Sequence, residues 1–270
     1  MLNRKSDNMD KVKVFLSDPQ VLFREGIHFI LSGEDDFEVI GETTSNEEAF
    51  TLITTNPPHI AILSMQGVKY SGPEITRRIK RSLPSVSVIL TMEKKEDAQL
   101  FEALKSGASA CLTKDADPEY LLDVIRVVAQ GSQPIIEELL IPALASMVLN
   151  EFEDLAALNE QLDNLLATPT AKESQILSSI AAGNSIDQIA TSLDINEETI
   201  RRNLRHILNK LVANEQSRAV IEAAQRTLPS IIGGPGRKAG KAGQYVTKEE
   251  FNEFKDNLME RLKSFIGELN

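Results

Sequence analysis

A chain of 270 residues, 41% of them hydrophobic, is long enough for about two domains with cores of their own, which excludes a disordered or fibrous polypeptide. Forty acids against 29 bases give a net charge of −11 and a pI near 4.9, so attraction to nucleic acid or anionic lipid cannot come from the surface as a whole and must be local. The single cysteine, Cys111, rules out an intramolecular disulfide. The opening residues lack the apolar run of a leader peptide, and no apolar stretch approaches the roughly 20 residues of a membrane span. A cytoplasmic protein without membrane contact is expected.

Charge divides the chain. Residues 1–130 hold 20 acids and 15 bases, and 131–167 hold seven acids and no base, whereas acids and bases balance at seven each in 168–229. From the N-terminus, apolar β-branched runs at Val12–Leu16, Val39–Ile40, Ile60–Leu63, Val86–Leu90 and Ala110–Leu112 alternate with stretches of helical periodicity. Strands apolar at consecutive positions predict a parallel sheet covered by helices on both faces, an α/β domain over 11–130. Residues 19–32 predict its first helix, with Pro19 in the first turn and Asp18 as a cap.

Residues 131–167 read as a linker helix. From Ile141 to Leu166 the apolar positions step alternately by four and three, through Val148, Phe152, Leu155 and Leu162, with Asn159 at an a position. That heptad seam predicts dimerisation through Val148, Phe152, Leu155, Asn159 and Leu162, or a connector helix lying on its own chain. A helical segment, 168–229, follows. Residues 230–246 form a glycine-rich linker, with Arg237, Lys238 and Lys241 and no acid. In 247–270 a capping box at Thr247–Glu250 opens an amphipathic helix with Phe251, Phe254, Leu258, Leu262, Phe265 and Leu269 on one stripe, which must be buried against its twin or another protein.

The strand–helix order of 11–130 resembles the flavodoxin-like receiver domain of response regulators, and Leu22-Phe23-Arg24-Glu25-Gly26-Ile27 is similar to the NarL/LuxR subgroup. The resemblance implies a pair of acids after the first strand and an aspartate after the third, which hold Mg²⁺ and accept a phosphoryl group. Here Ser17 and Asp18 end the first strand, and Ser64 ends the third, with Gly72 eight residues on as in that subgroup. Two of three acids are missing. Thr91 and Lys114 match the switch hydroxyl and the phosphate-contacting lysine, and Cys111 falls where an aromatic residue is common. Lys114 is then expected to pair with Asp18. Ser17, Asp18, Ser64, Thr91 and Lys114 make a degenerate phosphorylation site that holds no metal, and Cys111 is a small core residue.

Residues 170–226 resemble the LuxR-type DNA-binding domain. Thr170-Ala171-Lys172-Glu173 opens one helix, Gly183 turns into a second at Ile186–Ala190, and Asn196 caps a third. On that third helix Ile200, Leu204, Ile207, Leu208 and Leu211 make a buried face, while Arg201, Arg202, Arg205 and Lys210 supply four bases with no acid between them. The resemblance implies a recognition helix, with Thr199, Arg201, Arg202, Arg205, His206 and Lys210 at double-stranded DNA, where an arginine fork fits guanine O6 and N7. The expected protein is a sequence-specific transcription regulator, homodimeric because one short helix reads few base pairs, and independent of aspartyl phosphorylation. A protein-interaction scaffold with a vestigial DNA surface is the alternative. No nucleophile–base pair or phosphate-binding glycine loop suggests an enzyme, and no cofactor is expected.

Overall fold

A computed structural model describes residues 11–161 and 166–232, with side chains described for 11–156 and 166–218. Five parallel strands, β1 (Val12–Ser17), β2 (Phe37–Thr43), β3 (Ile60–Ser64), β4 (Ser87–Met92) and β5 (Ala110–Thr113), form one sheet in the order β2-β1-β3-β4-β5. Alternation of side chains sorts the strands between two cores. Val14, Leu16, Ile62, Ile89 and Leu112 face α1 (Val21–Ser32) and α5 (Pro118–Ala129). Phe15, Ala61, Leu63, Val88 and Leu90 face α2 (Asn46–Thr55), α3 (Gly72–Ser82) and α4 (Asp97–Ser106). Consecutive apolar residues in β1, β3 and β4 follow from this burial on both sides.

Two local expectations change. The run at Val39–Ile40 extends to seven residues, because β2 is an edge strand whose polar positions pair with β1 along its length, with a register slip between Val14 and Phe15. Helix α1 begins at Val21, so Pro19 precedes the helix and Asp18 does not cap it. The Asp18 carboxylate accepts the Gln20 N–H at 2.8 Å but is anchored in the sheet by other partners.

A 3₁₀ turn at Pro134–Leu140 leads into α6 (Pro142–Gln161), followed by α7 (Ala171–Ala181), α8 (Ile186–Leu193) and α9 (Glu197–Ile232). These elements extend the α2–α4 core instead of starting a separate one: Leu144, Ala145, Val148 and Phe152 of α6 join Phe101 and Leu104 of α4 and Ile176, Leu204, Ile207 and Leu211 of the last helices in one buried cluster. The seam expected to pair with a second copy is thus covered within the chain. Val148 is fully buried and Phe152 and Leu155 nearly so, because α4 and α7 occupy the space that a partner helix would need. The side chains of Asn159 and Leu162, and residues 233–270 with the linker and the Phe251–Leu269 stripe, lie outside the described residues.

Polar contacts reinforce this join. Arg77 of α3 lies 3.3 Å from Glu215 of α9, and Val212 rests where Gly107, at φ +82°, closes α4. If the core is continuous, Phe152→Ala should lower stability by about 3–5 kcal/mol. Urea unfolding monitored separately in the sheet and in α7–α9 should shift in both regions, and an unchanged midpoint in either would show the core to be divided there.

Candidate nucleic-acid interface and strand-end site

Parallel strands carry their C-terminal ends to one edge of the sheet, and there the five expected receiver-site residues come together. Asp18 is buried, and its carboxylate lies 3.0 Å from the Lys114 ammonium at either oxygen. Thr91 Oγ1 lies 3.4 Å from Asp18 Oδ2 and equally far from the Leu63 carbonyl. Glu93 adds a second carboxylate at 3.2 Å from Lys114 and accepts from Gln20 Nε2. The lysine charge is therefore matched from inside the chain. Gly72 is required by sterics, since a Cβ there would stand 2.4 Å from the Ser64 carbonyl oxygen.

Beside this ion pair lies a neutral network that the sequence did not reveal. Ser17 Oγ donates to Asn46 Oδ1 at 3.0 Å, and Asn46 Nδ2 donates to the Ser64 and Tyr70 carbonyls at 3.0 and 3.3 Å. Asn46 is buried at the start of α2, so its amide ties β1, β3 and the loop before α3 together. A carboxamide supplies no charge for a dication. Its position after Ser45 signals a helix start, and nothing in sequence links it to strand ends 18 and 29 residues away.

The second site is carried by α7, α8 and α9. Thr170 and Ser185 each form a capping box, with Glu173 and Gln188. Gly183 takes φ +84° at the first turn, and Asp194 takes φ +51° at the second. Asn196 Oδ1 accepts the Thr199 N–H at 2.8 Å and so caps α9. Ile200, Leu204, Ile207, Leu208 and Leu211 are buried, which fixes the opposite side of the helix outward.

Matches to known families fall on these two regions. Residues 14–126 match the response regulator receiver domain, and residues 168–223 match the bacterial regulatory proteins of the luxR family. Over 217 residues the chain is 30% identical to the response regulator protein VraR of Staphylococcus epidermidis, which covers 80% of this chain and 98% of that one. This chain is a response regulator of the LuxR family. It is also 28% identical over 227 residues to the transcriptional regulatory protein DegU of Brevibacillus brevis, covering 80% of this chain and 94% of the relative. Among solved structures, the signal receiver domain of NarL from Mycobacterium tuberculosis is 28% identical and covers 46% of this chain and 99% of its own, with a TM-score of 0.44.

In this response regulator the six DNA-contact candidates are not equivalent. Arg202, Arg205 and His206 are exposed, and among the described residues neither arginine has an ion-pair partner. Arg201 is held by Glu137 of the 3₁₀ turn. Thr199 is half-buried, and its carbonyl accepts from Asn203. Lys210 departs furthest from expectation: its ammonium lies 2.6 Å from Glu173, a buried residue of α7, so it joins two helices of the motif. His206 Nδ1 approaches the same carboxylate at 3.9 Å. Glu173 was legible only as an acid in a helix start and Glu137 only as one of the seven acids of 131–167, because both partners are more than 30 residues away in sequence. Cys111 is buried, and burial with the nearby Glu138 carboxylate pushes its thiol up to about 12, with Lys95 opposing, so it stays protonated and packs as a small apolar residue.

Burial raises the Glu173 carboxyl, but the Lys210 ammonium and the Thr170 hydrogen bonds outweigh it and hold the group below its ordinary 4.5. The charged form is thus favoured by folding, and its contribution is complete above the unfolded value and lost as pH falls through the lower folded one. Glu173→Gln should cost roughly 1–3 kcal/mol near neutral pH. The difference from the parent chain should shrink as unfolding is measured from pH 6 down towards about 3. A pH-independent difference would assign the loss to packing alone.

Proposed function

We propose that this response regulator controls transcription by reading duplex DNA with the Arg202 and Arg205 side of α9, and that it does so without an aspartyl phosphate. The observation that carries the second part is the closed strand-end site: Ser64 stands at the end of β3, and Lys114, Thr91 and the Gln20 N–H already occupy the Asp18 carboxylate. A hydroxyl without a neighbouring base is a poor phosphoryl acceptor, and two carboxylates, Asp18 and Glu93, that both lie against the Lys114 ammonium offer little to Mg²⁺. The receiver fold then acts through protein contacts in the cytoplasm. The relative from Brevibacillus brevis is named as a transcriptional regulatory protein, which supports the DNA-directed reading. Two copies would read a site with two halves, joined through surfaces other than the covered side of α6. The pairing of Arg201 with Glu137 and of Lys210 with Glu173 favours a second reading, a protein-interaction scaffold with a reduced DNA surface.

Incubation with acetyl phosphate and Mg²⁺ should leave the intact mass unchanged, and a stoichiometric phosphoryl adduct would refute phosphate independence. For DNA, sites selected from a random pool should be bound in a salt-dependent and sequence-selective way. Arg202→Ala or Arg205→Ala should cost roughly 1–3 kcal/mol and relax preference at one position if the residue contacts a base. If it contacts only a phosphate, all sequences should weaken alike and the salt slope should fall by about one. Undiminished binding by the double alanine variant would favour the scaffold.

A further inference from the structure

At the C-terminal edge of the sheet the Asp18 carboxylate is closed, but the space next to Ser64 is not. An open cavity of about 320 Å³ lies there, lined by Ser64, Met65 and Gln66 at and after the end of β3, Thr91 and Met92 at the end of β4, and Gln99 of α4. Ser64 and Thr91 are register partners on neighbouring parallel strands, so their side chains stand beside each other, with Cα atoms about 5 Å apart. Both residues are almost wholly buried, at 3% and 2% exposure. A buried hydroxyl ordinarily has a partner. Thr91 has only long ones, at 3.4 Å. Unlike the groups that Asn46 joins, the Ser64 hydroxyl has no partner among the described residues, because Asn46 bonds the Ser64 carbonyl and not its side chain. One donor and two acceptor positions are thus left to whatever fills the cavity. At the mouth, the Gln66 carboxamide is exposed, and Gln99 donates to Glu96 at 3.0 Å while its carbonyl oxygen stays available.

Charge and shape narrow the occupant. Lys114 lines the cavity, but Asp18 and Glu93 hold its ammonium at 3.0 and 3.2 Å. A phosphate or carboxylate therefore finds no uncommitted cation and meets two like charges instead. No aromatic side chain lines the cavity, so a flat heteroaromatic ring has nothing to stack on. The volume is at the lower end for a small-molecule site and too small for a dinucleotide or a lipid. What the lining offers is hydroxyls and carboxamides, which both donate and accept, beside the adaptable thioethers of Met65 and Met92. Water satisfies these groups until a molecule that reproduces its hydrogen bonds displaces it. We propose that this cavity binds a neutral polyhydroxylated molecule of about monosaccharide size, with ligand hydroxyls on Ser64, Thr91, Gln66 and Gln99. The site rests on the reading of this edge as free of phosphate, since a phosphoryl group there would take the same space.

The test uses the full chain labelled at the methionine methyl groups, because Met65 and Met92 line the cavity and Met147 of α6 does not. Glycerol, myo-inositol and glucose are the neutral probes. In methyl NMR spectra at least one of them should shift the Met65 and Met92 signals saturably and leave Met147 in place. The phosphate monoester of the same compound should bind at least about tenfold more weakly. Ser64→Ala should weaken the neutral probe about tenfold and leave the urea midpoint unchanged, since the lost hydroxyl bonds no protein group. Gln66→Ala, at an exposed loop position, should weaken it by a smaller factor. No response of either methyl to any neutral probe would overturn the proposal. So would a phosphate ester bound as tightly as its parent compound, or undiminished binding by Ser64→Ala. The acetyl phosphate mass measurement reads phosphorylation on the same protein, so failure of the ligand site is distinguishable from failure of the phosphate-independent reading.

Discussion

The buried side of α6 is the constraint on which the remainder of the architecture rests. Val148 and Phe152 stand between the α4 side of the sheet and the helices of the DNA-binding motif, and neither partner region covers its apolar surface without them. Close packing makes the arrangement specific: apolar area could be hidden in many ways, but interdigitated side chains at crystal-like density permit few relative placements. The orientation of α9 is therefore set by the same contacts that complete the receiver core. The Arg77 to Glu215 pair and the contact of Val212 with Gly107 operate within that frame, and neither could impose it alone.

Electrostatics acts on top of this packing by removing cations from the solvent. In a chain with 11 more acids than bases, a lysine or arginine finds a carboxylate wherever the fold brings one near. Lys114 is taken by Asp18 and Glu93, Lys210 by Glu173, and Arg201 by Glu137. Among the described residues, Arg202 and Arg205 are the exposed arginines of α9 without an ion-pair partner.

At the strand ends the same logic pairs Lys114 with the carboxylates of Asp18 and Glu93. Ser17 and Ser64 end β1 and β3, and the neutral amide of Asn46 joins the hydroxyl of one to the carbonyl of the other. Each polar group gains a partner from the protein itself, which is the condition for burying it without penalty.

Much of this was legible in residues alone. Consecutive apolar runs separated by helical periods required a parallel sheet, Gly183 and Asn196 required a turn and a cap, and the five-residue apolar stripe of α9 determined which side of that helix is buried. These are local properties, governed by side-chain period and backbone conformation, and they survive in any tertiary setting. The fate of α6 was not of this kind. Its heptad pattern stated that one side must be buried but not against what, and in the folded chain α4 and α7 pack on that side. Likewise the sequence showed that Arg201 and Lys210 are cations on a helix, whereas their pairing with Glu137 and Glu173 depended on segments 64 and 37 residues away. Periodicity and capping are written in neighbouring residues, while burial and ion pairing depend on distant ones that only the folded chain brings into reach.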